Sequence, residues 1–259
     1  MLTIFKNQLD FYLRNKLKKW FFCYYMTKTN NHRIHYGFDG LNYFVIDGFT
    51  KFFFIRERAT RYRNGIKELG NRLAESYGIE EIKLDSDNIV VDVGANVGDF
   101  AMYLMKFQNI EYFGFEPSPQ EFELLKRNVP SYFSVQNKIV SNSNSRTKFY
   151  ISTSRADSSI YRPDIVDKEL LLDSVRLDCL FNYITLLKID AEGAEFEVIK
   201  GAENILNNIR YIAVDLGFEK GIKHESTCPE VINYLLNKNF KIEKFTPRGC
   251  FLLQNTSYL

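Results

Sequence analysis

The sequence is poor in the features that mark several classes of protein. It has only 6 prolines and 4 cysteines in 259 residues. With 45% hydrophobic and 25% charged residues and no low-complexity run, the composition does not fit a disordered, collagen-like or mucin-like chain. The cysteines form no C-x-x-C pair, so nothing indicates a disulfide framework or a thiolate zinc site. We therefore expect a globular protein with reduced thiols.

Long hydrophobic runs are also lacking. No stretch approaches the roughly 18 apolar residues that a membrane-spanning helix needs. The N-terminal run Trp20–Met26 is short and follows Lys16, Lys18 and Lys19. Charged residues alternate with apolar ones from Lys6 onward and no small-residue cleavage site follows, which argues against a secretory signal. We therefore expect a cytoplasmic protein.

Positive charge is concentrated near the N terminus. The first 72 residues hold 14 Lys and Arg against 5 Asp and Glu, whereas the rest of the chain holds 20 against 27. Apolar residues from Leu2 to Met26 recur every three or four positions with basic residues between them, which predicts a basic amphipathic helix. The apolar face of this helix includes Trp20 and Tyr24. Three surfaces are candidates for contact with it: the catalytic domain, a second subunit in a homodimer, or the inner face of an anionic membrane contacted through residues 1–26.

The order of the sequence patterns divides the chain at residue 84. Residues 1–84 contain the amphipathic helix, three short aromatic and β-branched runs typical of hairpins, and a predicted helix over Thr60–Tyr77 that stops at Gly78. From residue 88, strands alternate with helical segments, which indicates a parallel sheet covered on both faces. We expect an α/β fold in which residues 85–259 form a doubly wound, Rossmann-like sheet, preceded by a small helical and β-hairpin extension.

The strongest motif is V-V-D-V-G-A-N-V-G-D-F over residues 90–100, at a strand-to-helix junction. Its spacing D-x-G-x-N-x-G, with Asp92, Gly94, Asn96 and Gly98, is neither the G-x-G-x-x-G of dinucleotide enzymes nor a P-loop. The glycines allow a tight turn and a close approach of a ligand. This order suits a ligand without a pyrophosphate that carries a ribose, an amino-acid part and a positive sulfur, as S-adenosylmethionine does. An ordinary strand-turn-helix is the alternative.

Two further segments place acidic residues at strand ends. Glu116 ends the next predicted strand, one β-α-β unit after Asp92, where a carboxylate can accept both hydroxyls of a ribose. Asp190 and Glu192 end a later strand, and Asp215 ends the strand after that. If those two strands are neighbours, Asp190 and Asp215 approach closely enough to share a proton, a divalent cation or a substrate hydroxyl. By contrast, Glu195 and Glu197 are better explained as residues that favour a helix start.

Taken together, the three segments resemble the FkbM family of S-adenosylmethionine-dependent methyltransferases, over roughly residues 85 to 245. The family patterns V-V-D-V-G-A-N-x-G, G-F-E-P-S and L-K-I-D-x-E-G-A-E-x-x-V-I/L-x-G-A all occur here in order. The helix that ends in Tyr-Gly at residues 77 and 78 also resembles the lead-in of that family. The resemblance implies a seven-stranded methyltransferase sheet, S-adenosylmethionine as cofactor, and O-methylation of a hydroxyl, often on a sugar of a glycan, glycolipid or natural product.

The resemblance also implies roles for individual residues. This chain departs from many members after the fifth strand, where Asp215-Leu-Gly stands in place of a Glu, so a divalent metal at Asp190 and Asp215 is a hypothesis only. The positions implied for the cofactor loop and the ribose are Asp92, Gly94, Asn96, Gly98 and Glu116, and those that match the third segment are Asp190, Glu192 and Gly193.

An alcohol acceptor is a poor nucleophile and needs a general base within hydrogen-bond reach. The candidate bases are Asp190 and His224, followed by His32 and His35. Ser158 and Ser159, in a polar loop, and Glu192 are candidate contacts for a carbohydrate or small-molecule acceptor. For His224 and the two serines, the alternative is an exposed loop without a catalytic role.

Two other functions remain open from the sequence. One is a module that binds S-adenosylmethionine without catalysis, but the complete set of loop residues and Glu116 argues against it. The other is a nucleic-acid methyltransferase, for which the basic, aromatic N-terminal third is suitable. The sequence lacks the Asn/Asp-Pro-Pro-Tyr/Phe segment of base-amino methyltransferases after the fourth strand, and we therefore expect no nucleic-acid partner.

Overall fold

The structure, a computed structural model, describes residues 17–30, 33–84, 88–152 and 158–258. The chain divides into two compact units, residues 1–69 and 70–259. This division falls before residue 84, where the sequence predicts a boundary, because residues 70–84 pack within the larger unit. Gly70 lies against the backbone of Tyr103, and Thr246 Oγ1 donates a hydrogen bond to Ser76 O at 2.8 Å. That residues 85–259 make up the methyltransferase domain stays a prediction.

The smaller unit is a helix with a three-stranded antiparallel sheet, as the hairpin pattern predicts. The helix and strands are α1 (Lys19–Thr29), β1 (Ile34–Phe38), β2 (Tyr43–Asp47) and β3 (Thr50–Phe54). Trp20 and Tyr24 of the predicted apolar face are 64% and 59% exposed, whereas Phe22, Cys23 and Met26 are buried, so the partner of that face stays a prediction. Because apolar residues fill nearly every position from 20 to 26, their spacing alone could not select the buried face. Residues 1–16 of the predicted helix lie outside the described residues.

The helix predicted over Thr60–Tyr77 is split. A 3-10 helix, Arg56–Tyr62, is separated from α2 (Ile66–Ser76) by Gly65, which has a φ of 106°. The other helices are α3 (Ala101–Leu104), α4 (Pro119–Asn128), α5 (Glu195–Lys200) and α6 (Cys228–Leu236). The helix that begins at Glu195 ends at Lys200, and the next residue, Gly201, sits against the carbonyl of Ser141, where a Cβ would be 2.1 Å from that oxygen. None of the described helices is long and apolar enough to cross a membrane.

The larger unit is built on a seven-stranded sheet. Its strands, with those of a small neighbouring sheet, are β4 (Ile89–Val93), β5 (Glu111–Phe115), β6 (Ser134–Gln136), β7 (Ile139–Val140), β8 (Arg146–Ile151), β9 (Lys168–Val175), β10 (Ile184–Ile189), β11 (Ile209–Asp215), β12 (Phe240–Phe245) and β13 (Cys250–Asn255). The large sheet has the order β12-β13-β11-β10-β4-β5-β6, and only β13 runs antiparallel to its neighbours. The fold is thus the expected doubly wound, Rossmann-like α/β sheet.

The strand pattern explains why part of this sheet was predictable. Every residue of β10 is buried, as in a parallel strand covered on both faces, and its apolar run is evident in the sequence. The strands β9, β12 and β13 were not predicted, because charged and polar residues interrupt β9 and β12 and a proline-containing turn precedes β13. The apolar residues from Phe133 to Val140 do not form a single strand, since β6 joins the large sheet and β7 joins the small one with β8 and β9.

Candidate active site

The candidate site lies where three parallel strands end at the same level. In the sheet, Val93 at the end of β4 pairs with Phe115 of β5 on one side and with Ile189 of β10 on the other. The next residue along each chain segment, Gly94, Glu116 or Asp190, therefore emerges at one edge of the sheet. In open α/β sheets this carboxyl edge is where ligands bind.

Gly94 fixes the first loop between the two neighbouring strand ends. The N–H groups of Gly94 and Ala95 both donate to Phe115 O at 3.0 Å. Gly94 has a φ of 76°, and a Cβ there would lie only 1.9 Å from the main-chain oxygen of Asp190. Only glycine satisfies both the positive φ and this close approach. The loop is therefore held against the strand end that carries Asp190.

Glu116 is oriented toward the same loop. Its Oε2 accepts the Asn96 N–H and its Oε1 accepts the Ser118 N–H, each at 2.8 Å. Asn137 holds the main chain here, since its Nδ2 donates to the carbonyls of Glu116 and Pro117 at 2.8 Å. The carboxylate is therefore fixed by two main-chain N–H groups, one of them in the loop. The structure thus brings Glu116 to the loop, as the β-α-β spacing predicts.

Two loop positions differ from the expected direct cofactor contacts. A Cβ at Gly98 would lie 3.1 Å from Leu125 and 3.2 Å from Val129, so this glycine permits close packing of α4. Asp92 is fully buried beneath the loop, where Lys188 Nζ contacts its Oδ1 and the Tyr112 hydroxyl donates to its Oδ2, both at 2.9 Å. Asp92 therefore supports the loop from below, and its effect on cofactor binding would be indirect.

Lys188 is a site residue that the sequence analysis missed. It is buried in β10 and its Nζ lies 4.0 Å from Asp190 Oδ2 as well as against Asp92. Burial alone lowers the pKa of Lys188, but the carboxylates of Asp92 and Asp190 outweigh that effect and raise it above its ordinary value. A lysine within an otherwise apolar strand was the available signal, because a buried cation requires carboxylate partners.

Asp190 occupies the centre of the edge, and its side chain is 24% exposed. The Tyr77 hydroxyl donates a hydrogen bond of 2.8 Å to Asp190 Oδ2. Burial, followed by the charges of Asp190 and Asp215, raises the pKa of Tyr77 well above its usual value, so this tyrosine is a protonated donor at neutral pH. Tyr77 was identified from the sequence only as part of a helix end.

Asp215 lies on the strand next to that of Asp190, as expected, but its contacts do not indicate a metal site. β10 and β11 are neighbours, and burial followed by the charge of Asp190 raises the pKa of Asp215. Its Oδ2, however, lies 3.3 Å from Arg248 Nε, so a guanidinium compensates this carboxylate. Within the described part of the chain, no group of three His, Cys, Asp or Glu residues is placed to hold a metal ion. The hypothesis of a divalent metal at Asp190 and Asp215 therefore has no structural support.

Two more carboxyl groups lie near this edge. Burial raises the pKa of Glu219 to about 8, with further contributions from Asp190, Asp215 and Glu195. Glu195 is in the first turn of α5, as predicted, but it is buried. It accepts hydrogen bonds from Gly193 N at 2.9 Å and Thr227 Oγ1 at 2.8 Å, and burial raises its pKa to about 7. The edge is therefore rich in carboxyl groups with raised pKa values.

The candidate acceptor residues have other partners in the structure. Ser158 Oγ accepts the Ser152 N–H at 3.0 Å, and Ser159 is buried with its Oγ accepting the Tyr161 N–H at 3.2 Å. Glu192 has a φ of 49° in a tight turn pressed against Lys220 through the next residue. Both serine hydroxyls thus hold their own loop together, and the acceptor roles of these residues stay predictions without geometric support.

The candidate histidines are likewise not joined to Asp190 by the contacts that the structure shows. His224 lies in the Lys220–Glu225 turn, and its Nε2 is 2.9 Å from Asp164 Oδ2. His35 is exposed on β1 of the smaller unit, and His32 lies outside the described residues. Among the candidate bases, Asp190 is the one that the structure places beside the first loop.

Comparison with known proteins supports the sequence motifs. Residues 92–242 match the family model described as Methyltransferase FkbM domain, which is more than half of the chain. Methyltransferase sdnD of Sordaria araneosa is 28% identical over 206 residues, covering 62% of this chain and 76% of that protein. The 2-O-methyltransferase NoeI of Sinorhizobium fredii is 23% identical over 229 residues, covering 78% and 93%.

Two other similar proteins are matched over less of their length. Hexuronic acid methyltransferase AglP of Haloferax volcanii is 25% identical over 162 residues, covering 60% of this chain and 63% of that protein. The crystal structure of methyltransferase FkbM from Methylobacillus flagellatus superposes with a TM-score of 0.48 at 18% identity, over 68% of this chain and 45% of that one. This chain thus spans less than two thirds of either protein.

Proposed function

Because the chain belongs to the methyltransferase FkbM family, it is an S-adenosylmethionine-dependent methyltransferase, and we propose that its acceptor is a hydroxyl group of a sugar in a glycan, glycolipid or natural product. The observation that carries this proposal is the placement of Asp190, a partly exposed carboxylate, at the same edge as the Gly94 loop and Glu116. The names of two relatives, a hexuronic acid methyltransferase and a 2-O-methyltransferase, are consistent with a sugar acceptor.

The residues at this edge fit S-adenosylmethionine. Glu116, oriented by Asn96 and Ser118, would accept hydrogen bonds from the ribose hydroxyls, while the turn at Gly94 allows the ligand to approach the main chain. The partly exposed carboxylate of Asp190 would interact favourably with a cationic sulfur. The bound cofactor supplies an electrophilic methyl group.

We propose Asp190 as the general base. A carboxylate in this position would accept the proton of the acceptor hydroxyl, and general-base assistance contributes about 10²- to 10⁴-fold to such reactions. Much of the remaining rate enhancement would come from holding the hydroxyl oxygen in line with the methyl group, which removes the entropic cost of the encounter.

The test is methyl transfer from methyl-labelled S-adenosylmethionine to a panel of acceptors: uronic acid oligosaccharides, neutral oligosaccharides and RNA. We expect label in a carbohydrate with the unmodified protein. Asp190→Asn should reduce kcat by at least about 100-fold while leaving the affinity for S-adenosylhomocysteine unchanged. Asp173→Asn, which alters an exposed carboxylate on β9, is the matched control. Label in RNA would favour a nucleic-acid methyltransferase, and cofactor binding without transfer to any acceptor would favour a non-catalytic module.

A peripheral membrane contact is a second proposal, for the exposed face of α1. Trp20 and Phe21 stack at 3.8 Å on this face, next to Tyr24 and beside Lys18 and Lys19. Exposed aromatic rings next to lysines are typical of helices that lie on anionic lipid surfaces. The chain has a single tryptophan, so its emission reports this face alone. A blue shift with anionic vesicles that disappears at high salt supports the contact, and no shift with any vesicle contradicts it.

The homodimer remains open as well. Light scattering on the purified protein tests this prediction. A mass of 30.4 kDa corresponds to a monomer, and twice that mass corresponds to a homodimer.

A further inference from the structure

We propose that Tyr77 is a positioning residue, which holds the carboxylate of Asp190 in the orientation needed to receive the acceptor's proton. This inference rests on the proposed function, in which Asp190 is the base. Tyr77 lies outside residues 92–242, the segment that matches the family model, and it follows the last residue of α2. The segment before the matched domain would therefore complete the active site.

The main chain of Asp190 is already fixed to the cofactor loop. Its N–H donates to Val93 O at 3.0 Å, and its carbonyl oxygen lies where a side chain at position 94 would be. Only the side-chain torsion angles of Asp190 are left to be determined by other groups. The groups that fix these torsion angles therefore also fix the position of the carboxylate relative to the loop.

Tyr77 is suited to set them. Its side chain is completely buried, and its hydroxyl reaches Asp190 Oδ2 at 2.8 Å. The residues around it are held in place, because Ser76 O accepts the Thr246 hydroxyl and Gly78 follows in the left-handed conformation. The ring also lies near two cations, Lys188 Nζ at 5.2 Å and the Arg248 guanidinium at 5.9 Å from its centroid. A hydroxyl on a ring packed in this way has little freedom to move.

The charges around Asp190 would move its carboxylate if this hydrogen bond were lost. Lys188 and Arg248 attract it, whereas three carboxyl groups repel it when they are ionised: Asp215, Glu219 and Glu195. Lys188 Nζ is 4.0 Å from Asp190 Oδ2, a distance that a rotation of the carboxylate could shorten. We therefore expect that, without the Tyr77 hydroxyl, the carboxylate turns toward Lys188 and away from the acceptor.

The experiment compares Tyr77→Phe with the unmodified protein and with Tyr103→Phe. Tyr103 is another buried tyrosine of the same unit, and its ring packs against Phe100 and Phe107. Crystal structures of all three proteins give the rotamer of Asp190. Calorimetry gives the affinity for S-adenosylhomocysteine, and the acceptor identified in the panel gives kcat and KM.

For Tyr77→Phe we expect a changed Asp190 rotamer, an affinity for S-adenosylhomocysteine within twofold of the unmodified protein, and a kcat lower by about 10- to 100-fold, the scale of a 1 Å misplacement. Tyr103→Phe should leave all three unchanged. An unchanged Asp190 rotamer in Tyr77→Phe overturns the proposal, and so does an unchanged kcat with only a lower melting temperature. If the unmodified protein methylates no acceptor, the proposed function fails, and the Asp190 rotamer still decides the role of Tyr77.

Discussion

Replacing Glu195 by Gln should stabilise the protein increasingly as pH rises from about 4.5 to about 7, and by a constant amount at higher pH. The folded structure raises the pKa of Glu195 to about 7 from its ordinary 4.5, chiefly through burial. The folded state therefore holds a proton that the unfolded state has released, and its stability falls as pH rises from about 4.5 to about 7. At 1.36 kcal/mol per unit, this gap corresponds to about 3 kcal/mol lost by pH 8. Glutamine is neutral at every pH and avoids this loss.

The substitution can preserve the contacts of the side chain. A glutamine Oε1 still accepts the Gly193 N–H, and the Thr227 hydroxyl can rotate to accept from the new amide N–H in place of donating to Oε2. We therefore expect the variant to be more stable by about 1 kcal/mol at pH 5 and by about 3 kcal/mol at pH 8.

Urea denaturation of both proteins at half-unit pH steps from 5 to 8 measures this difference. Other carboxyl groups titrate in both proteins and cancel to first order in the difference, except Glu219, whose pKa of about 8 is raised in part by the charge of Glu195. Glu203→Gln is a control without pH dependence in this range, because a hydrogen bond from Lys200 lowers the pKa of Glu203 to about 2, so its stability difference from the unmodified protein should stay constant from pH 5 to 8. A stability difference between Glu195→Gln and the unmodified protein that stays constant from pH 5 to 8 would refute the reasoning.

Three further outcomes are expected. Gly94→Ala should weaken S-adenosylhomocysteine binding by about 10-fold or more in calorimetry, through strain of about 1–3 kcal/mol, whereas Gly40→Ala, at a positive φ with no atom within 4 Å, should not. Lys188→Met should lower the free energy of unfolding in urea by about 3–5 kcal/mol, because it leaves Asp92 buried without its cation, and adding Asp92→Asn should recover part of this loss. Glu116→Ala should weaken S-adenosylhomocysteine binding by about 1–3 kcal/mol in calorimetry, and equal binding would exclude a ribose contact.

The sequence allowed the edge of the sheet to be predicted because its residues lie at the ends of strands with clear hydrophobic patterns. Gly94, Glu116 and Asp190 each follow a buried strand by one residue, so the order of the strands was enough to bring them together. Hydrogen bonds between residues distant in sequence could not be predicted in this way. Tyr77 and Asp190 are separated by 113 residues, and nothing in a helix end indicates which carboxylate it meets.

Other site residues stay predictions without support from their geometry, for local reasons. The polar loop around Ser158 and Ser159 suggested acceptor contacts, but a hydroxyl is as easily used by its own backbone, and both serines are used in that way. His224 has the right residue type for a base, yet its ring contacts Asp164 instead. Residue type and spacing identify groups that could react, whereas only the packing decides what each group contacts.

The position of β13 has a consequence for the order in which the protein is assembled. This strand lies between β11 and β12, and Asn255 at its end donates from Nδ2 to the carbonyls of Leu206 and Ile209, both at 3.2 Å. Until residues 250–255 have left the ribosome, β11 is an open edge whose N–H and C=O groups can pair with another chain. A nascent chain stalled before Cys250 should therefore aggregate or recruit chaperones, although the strands that carry Gly94, Glu116 and Asp190 have already been synthesised.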